Sequence, residues 1–143
     1  MAPVQFWFEF ASTYSYVAAL RIEAVAWSRG VPFEWKPFLL GPIFRRQGWN
    51  DSPFNLYPAR GRYMWRDQEI LGTIGQDGSR VIGLAVSAEN KERLRRETET
   101  AWDLGIFGAP TCVVGAELFW GNDQMDDALD WYSAKGGGPC PST

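Results

Sequence analysis

Ser12-Thr13-Tyr14-Ser15 sets two serines three residues apart, directly after an apolar run and directly before a helical pattern. A helix N-terminus offers N–H groups without intrahelical partners and carries partial positive charge. A serine hydroxyl there caps the helix, and the same position stabilises a thiolate. The two roles are compatible, one without ligand and the other with ligand bound. No cysteine stands in this segment: the chain has only Cys112 and Cys140, and C-x-x-C does not occur. Dithiol exchange is therefore disfavoured, and a thiolate beside Ser12 would have to arrive on a ligand. The chain has no histidine, which excludes a histidine-based triad and imidazole metal sites. No metal site is expected.

The second stretch with chemical content is GIFGAPTCVVGAELFWGND, residues 105–123. Pro110 precedes an apolar strand, keeps its nitrogen out of the ladder and can adopt either peptide isomer in a tight turn. Gly115-Ala116 is a hairpin signal between strands at 111–114 and 117–120. Gly121-Asn122-Asp123 then offers a helix start. Cys112, within the first of these strands, reads as a small buried hydrophobe. Cys140 sits in a Gly- and Pro-rich tail, and a disulfide between the two is left open.

These residues need elements to position them. Residues 4–10 suit a buried strand. Ser12 or Thr13 caps a helix over 14–29, with Val17, Leu20, Ala24 and Trp27 recurring at helical spacing and Gly30 as the stop. Residues 31–38 read as a second strand, interrupted by prolines that suggest an edge or a short pairing. A long loop covers 39–58, and long ordered loops are often functional. Residues 57–70 hold helix formers, 71–79 are a glycine-rich break, and 80–85 are a short apolar piece. A helix spans 89–104, capped by Ser87 or Asn90, with Leu94, Ala101 and Leu104 facing inward.

Composition bounds the rest. A chain of 143 residues with 45% hydrophobic content supports one domain with a real core. The net charge is −3 with dispersed basic residues, so nucleic acid is not an expected partner. No apolar run reaches transmembrane length, and no membrane partner is expected. The N-terminus leads directly into a strand without a secretory pattern, and the cysteine usage suits a reducing compartment, so a cytoplasmic location is expected. Of the eight tryptophans, Trp49, Trp65 and Trp120 lie near the candidate segments and could line a pocket.

A strand, a turn and a helix opening on S-x-x-S, completed by a proline-led hairpin and a helix, resembles a thioredoxin site with both sulfurs replaced. Glutathione is then the ligand expected to bring the thiol. Together, FWFEFASTYSY, PFLLGPIF, YPARGRYMWRD, GIFGAPT and ELFWGND resemble the 2-hydroxychromene-2-carboxylate isomerases. These are bacterial glutathione-dependent enzymes related to kappa-class glutathione transferases and, more distantly, to DsbA. The resemblance covers residues 4–70 and 88–132. It implies an α/β thioredoxin-like fold, a central mixed sheet flanked by helices, over a single domain at 1–135 with a flexible tail at 136–143. The resemblance further implies that residues 68–87 are the remnant of a helical insertion most of which this sequence lacks.

The resemblance also implies roles. Ser12 would hold and activate the glutathione thiol. The backbone of Ala109, before Pro110, would pair with the cysteinyl unit. Asn122 and Asp123 would take the γ-glutamyl end. Asn50 would be a polar contact, and Arg60 would meet a carboxylate with its guanidinium fork. The expected reaction is isomerisation of a small aromatic-pathway conjugated carbonyl acid such as 2-hydroxychromene-2-carboxylate. Thr13 departs from the family's proline, Gln124 from its basic residue, and the short insertion puts the acceptor pocket in question. The alternatives are a thioredoxin-like glutathione- or peptide-binding domain without turnover, a glutathione transferase, and a homodimer that rebuilds the cleft.

Overall fold

The computed structural model describes residues 1–48 and 87–137. The expected segments at 57–70, 71–79 and 80–85 lie outside the described residues, as do Trp49, Trp65 and Cys140. β1 is Val4–Phe8, with Val4 and Phe6 buried on one face and Trp7 on the other. This double burial explains why apolar side chains stand at adjacent positions of the strand, Phe6 and Trp7, rather than only at alternate ones. α1, Thr13–Arg29, begins where expected, with Ser12 as its cap. It ends at Gly30, whose φ of 63° is left-handed and whose N–H donates to the Ala26 and Trp27 carbonyls.

β2, Phe33–Pro37, lies parallel to β1 at the sheet edge, where its proline is tolerated. α2, Leu40–Arg46, occupies the start of the expected long loop. Pro42 lies in its first turn, where a missing N–H costs nothing. Leu40 and Ile43 are buried, and this anchors a helix that the Gly-Pro dipeptide disguised.

α3, Ala88–Asp103, is capped by Ser87, whose Oγ accepts from the Asn90 N–H. Its buried residues are Thr98 and Ala101, whereas Leu104 is exposed. Thr98 Oγ1 donates to the Leu94 carbonyl at 2.8 Å and accepts from the Leu39 N–H at 3.0 Å, so a polar residue fastens this helix to the corner after β2.

β3, Thr111–Val114, and β4, Glu117–Trp120, form the expected hairpin. α4 is Met125–Ala134. Its cap is Gln124, without a side-chain bond, so Asn122 and Asp123 precede the helix rather than open it.

The sheet order is β2-β1-β3-β4, with β3 antiparallel to β1 and β4. Two cores flank it. On one side α1 and α4 cover Val4, Phe6, Cys112 and Val114. On the other, α2 and α3 cover Trp7 and Val113. Arg21 and Arg29 of α1 reach Asp126 at 2.8 and 2.7 Å, and Arg29 also pairs with Asp130.

The inward face of α1 differs from the expected one. Ser15, Ala18, Ile22 and Ala26 are buried, whereas Val17, Leu20, Ala24 and Trp27 point outward. The helix carries two apolar stripes, and the narrower one faces the sheet. Ile22→Ala is accordingly expected to cost about 3 kcal/mol, as buried isoleucine truncations do, measured by urea unfolding.

Candidate functional site

Strand pairing defines one end of the sheet. Phe8 is level with Pro37, Trp7 with Thr111, and Thr111 with Trp120. β1 leaves at this end and β3 enters at it. The turn into α1 and the Ala109-Pro110 loop therefore share it, with the segment after β4 beside them.

The turn is tightly bonded. Ser12 N–H donates to the Glu9 carbonyl at 3.0 Å. Ser15 N–H donates to Ser12 Oγ at 3.2 Å, and Glu9 N–H donates to Ser15 Oγ at 3.3 Å. Both serines are buried. By helix geometry the first-turn N–H groups of Thr13 and Tyr14 lack an intrahelical partner. The S-x-x-S pair thus combines a cap with a brace on the preceding strand.

The Ala109–Pro110 bond is cis. Both residues are buried. Thr111 Oγ1 donates to the Gly108 carbonyl at 2.9 Å, and Gly121 N–H donates to the Pro110 carbonyl at 2.9 Å. Among the described residues, neither the N–H nor the carbonyl of Ala109 has a hydrogen-bond partner. Gly108 lies against the Trp120 indole, where an added Cβ would collide with Nε1. Trp120 in turn sits 5.2 Å, centroid to centroid, from Phe107, and both rings are exposed.

Asn122 is held from α1. Arg21 donates to its Oδ1 at 2.8 Å and to its carbonyl at 3.1 Å. Asp123 is an exposed carboxylate folded back toward Gly121, whose φ of 106° suits glycine alone. Ser12, Ala109, Pro110, Asn122 and Asp123 are thus gathered at one end of the sheet, while Asn50 and Arg60 lie outside the described residues.

Two residues escaped the sequence reading. Glu9 is half-buried, its Oε1 accepting from the Ala11 N–H at 3.2 Å. Burial pushes its carboxyl above the ordinary range, and the Ala11 bond opposes this. Its signal was a lone charge inside an apolar run. Arg21 was hidden because helical arginines usually face solvent. Cys112 is a free, buried thiol pushed up to about 12 by burial, as far from a thiolate as the strand reading implied. Among the described residues, no helix is long and apolar enough to cross a membrane.

A model of the DSBA-like thioredoxin domain matches residues 3–73 and 66–133. The chain belongs to the DSBA-like thioredoxin family. Within this family it is similar to the 2-hydroxychromene-2-carboxylate isomerase of Sphingobium xenophagum, at 34% identity over 65 residues. That match takes in 43% of this chain and 33% of the relative, so the chain spans about a third of that protein's length. Among solved structures it resembles a 2-hydroxychromene-2-carboxylate isomerase at a TM-score of 0.67 and 18% identity, over 94% of this chain and 95% of that one. It also resembles the oxidoreductase NmDsbA1 of N. meningitidis, at 0.55 and 15%, over 93% and 82% of the two chains. A third likeness is to the DsbA disulfide interchange protein of Klebsiella pneumoniae, at 0.52 and 16%, over 92% and 87%. At these identities the structural likenesses establish the fold.

Two outcomes test this geometry. In a Cys140→Ser variant, Cys112 is expected to be inert to a thiol reagent at pH 8 in the folded state and fully reactive in denaturant; native reactivity would contradict its burial. Glu9→Gln is expected to stabilise the fold at neutral pH and to leave it unchanged well below the unfolded carboxylate range. A raised folded pKa means that stability is fully present below the unfolded pKa and falls as pH rises through the folded one. Thermal unfolding of both proteins across that range reads the difference.

Proposed function

We propose that this chain is a glutathione-dependent isomerase acting on a small conjugated carbonyl acid of aromatic origin, such as 2-hydroxychromene-2-carboxylate. The observation that carries the reading is the buried Ser12 hydroxyl at the start of α1, at the same end of the sheet as the cis Ala109–Pro110 loop, with no cysteine beside it. Disulfide interchange is the competing chemistry of the fold. It finds no support here, since serines stand at both positions 12 and 15 and the Cys112 thiol is raised to about 12 by burial.

The donor set suits glutathione. Ser12 Oγ accepts from Ser15 N–H and keeps its own proton to donate toward sulfur. The Thr13 and Tyr14 N–H groups and the helix dipole favour an anion there. The N–H and carbonyl of Ala109, without a hydrogen-bond partner among the described residues, match the backbone of an extended peptide-like ligand. Asp123 offers a carboxylate for an α-ammonium, and Asn122 stands beside it, held by Arg21. Asn50 and Arg60 would supply the remaining polar contacts. When bound, glutathione would supply a thiolate able to add reversibly to a conjugated double bond, so that the bond can rotate before elimination. The protein's part is to lower the thiol pKa, to place the sulfur and to stabilise developing negative charge. Phe107 and Trp120, their rings tilted by 57°, present an exposed aromatic flank suited to an aromatic substrate.

Calorimetric titration with reduced glutathione, paired with turnover of hydroxychromene carboxylate, tests this. Ser12→Ala is expected to lower turnover about 10²-fold, the cost of losing one preorganised donor, and to leave the fold intact. Asp123→Ala is expected to weaken glutathione binding. Unchanged turnover in Ser12→Ala would overturn its role. Binding by the parent chain without turnover would favour the binding-domain reading.

A further inference from the structure

We propose that Arg21 is a positioning residue for ligand binding: it turns the Asn122 amide so that its oxygen faces α1 and its N–H donors are left for the α-carboxylate of a γ-glutamyl group. This rests on the glutathione reading and extends it to a residue that acts through Asn122 rather than on the ligand. The clamp has three points. Arg21 Nη1 donates to Asn122 Oδ1 at 2.8 Å and to the Asn122 carbonyl at 3.1 Å. Its Nη2 donates to Asp126 Oδ2 at 2.8 Å. One side chain thus holds both the main chain and the side chain of Asn122, while Asp126 fixes the guanidinium plane.

The two ends of an asparagine amide are alike in shape and opposite in chemistry. A free side chain could turn either end to a ligand. A guanidinium has donors only, so the atom that meets it has to be the oxygen. The Nδ2 N–H groups then lie on the other branch of the amide, and among the described residues they have no hydrogen-bond partner. A carboxylate accepts from such donors, whereas an amide oxygen in their place would repel it. The residue before Asn122 is tied to the proline loop, since the Gly121 N–H donates to the Pro110 carbonyl at 2.9 Å. Asn122 is therefore fixed from α1 on one hand and from the cis-proline loop on the other. Asp123, next in the chain and exposed, offers an acceptor for an ammonium. Adjacent donor and acceptor suit the zwitterionic end of an α-amino acid.

Fastening α1 to α4 does not account for this arrangement. Arg29 does that as well, reaching Asp126 Oδ1 at 2.7 Å and pairing with Asp130, without a bond to Asn122. The two bonds to Asn122 are what Arg21 adds.

Calorimetric titration of the full chain with two ligands tests the proposal. One is reduced glutathione. The other is γ-aminobutyryl-cysteinylglycine, which keeps the ammonium and lacks the α-carboxylate. Arg21→Met is expected to weaken glutathione binding about tenfold, the worth of a hydrogen bond to a charged group, and to leave binding of the analogue unchanged. Arg21→Gln, whose amide can donate or accept and no longer dictates the orientation, is expected to do the same, and it decides the matter if Arg21→Met fails to fold. Asn122→Asp keeps an acceptor for Arg21 but loses the donors, and the same selective loss is expected. Arg29→Met is expected to leave both affinities unchanged. Equal loss of both ligands in the Arg21 variants overturns the role of Arg21 alone. So does unaltered glutathione binding in them or in Asn122→Asp, a loss in Arg29→Met as large as theirs, or a parent chain that binds both ligands equally. A parent chain that binds neither ligand overturns the glutathione reading, and this inference with it.

Discussion

The antiparallel pairing of β1 with β3 is the constraint on which the site depends. It holds Trp7 against Thr111. With that register set, the end at which β1 leaves the sheet is the end at which β3 enters it. The start of α1 and the Ala109-Pro110 loop then have to lie together, however far apart they are in sequence. The β3–β4 hairpin carries the same end onward, because Thr111 is also level with Trp120 and the Gly121 N–H closes onto the Pro110 carbonyl. A one-residue slip of β3 would exchange its two buried faces, sending Cys112 and Val114 toward α2 and α3. Two dissimilar cores make that slip costly.

Within this frame the polar groups at the head of α1 are arranged around a helix end. Ser12 and Ser15 do not form an isolated pair, since each accepts a backbone N–H that the turn would otherwise leave without a partner. Glu9 is drawn in by its own short bond to Ala11, and the cost of burying it appears as a raised carboxyl pKa. The result is a buried, hydroxyl-lined helix N-terminus. A site of this kind stabilises a thiolate brought from outside as well as one carried by the chain.

α1 is held to the molecule by chemistry of two kinds. Its narrow stripe of Ala18, Ile22 and Ala26 lets it approach the sheet closely. Arg21 and Arg29 then bind the head of α4, and Arg21 also holds Asn122, 101 positions away in the chain. The half-exposed ion pairs contribute little individually, but Arg21 aligns the segment after β4 with the helix that carries Ser12. The wide outer stripe of Val17, Leu20, Ala24 and Trp27 has no role in this packing.

The sequence by itself determined whatever is decided within a few residues. The Ser12 cap, the Gly30 stop, the hairpin at Gly115, the helix after Ser87 and the family resemblance all rest on local bonds or short motifs. Only the tertiary structure decided which stripe of α1 faces inward. Both have helical period, and the choice depends on how closely the sheet allows a helix to approach. It also decided that residues 40–46 are helical, since burial of Leu40 and Ile43 outweighs the Gly-Pro signal. Asn122 was legible as a polar residue near the last helix, yet its place is set by Arg21 from another element rather than by capping. The cis form of the Ala109–Pro110 bond and the burial of Glu9 were likewise beyond local reading. Spacing along the chain records the residue types, whereas isomer, inward face and desolvation are set by neighbours that only the folded chain brings together.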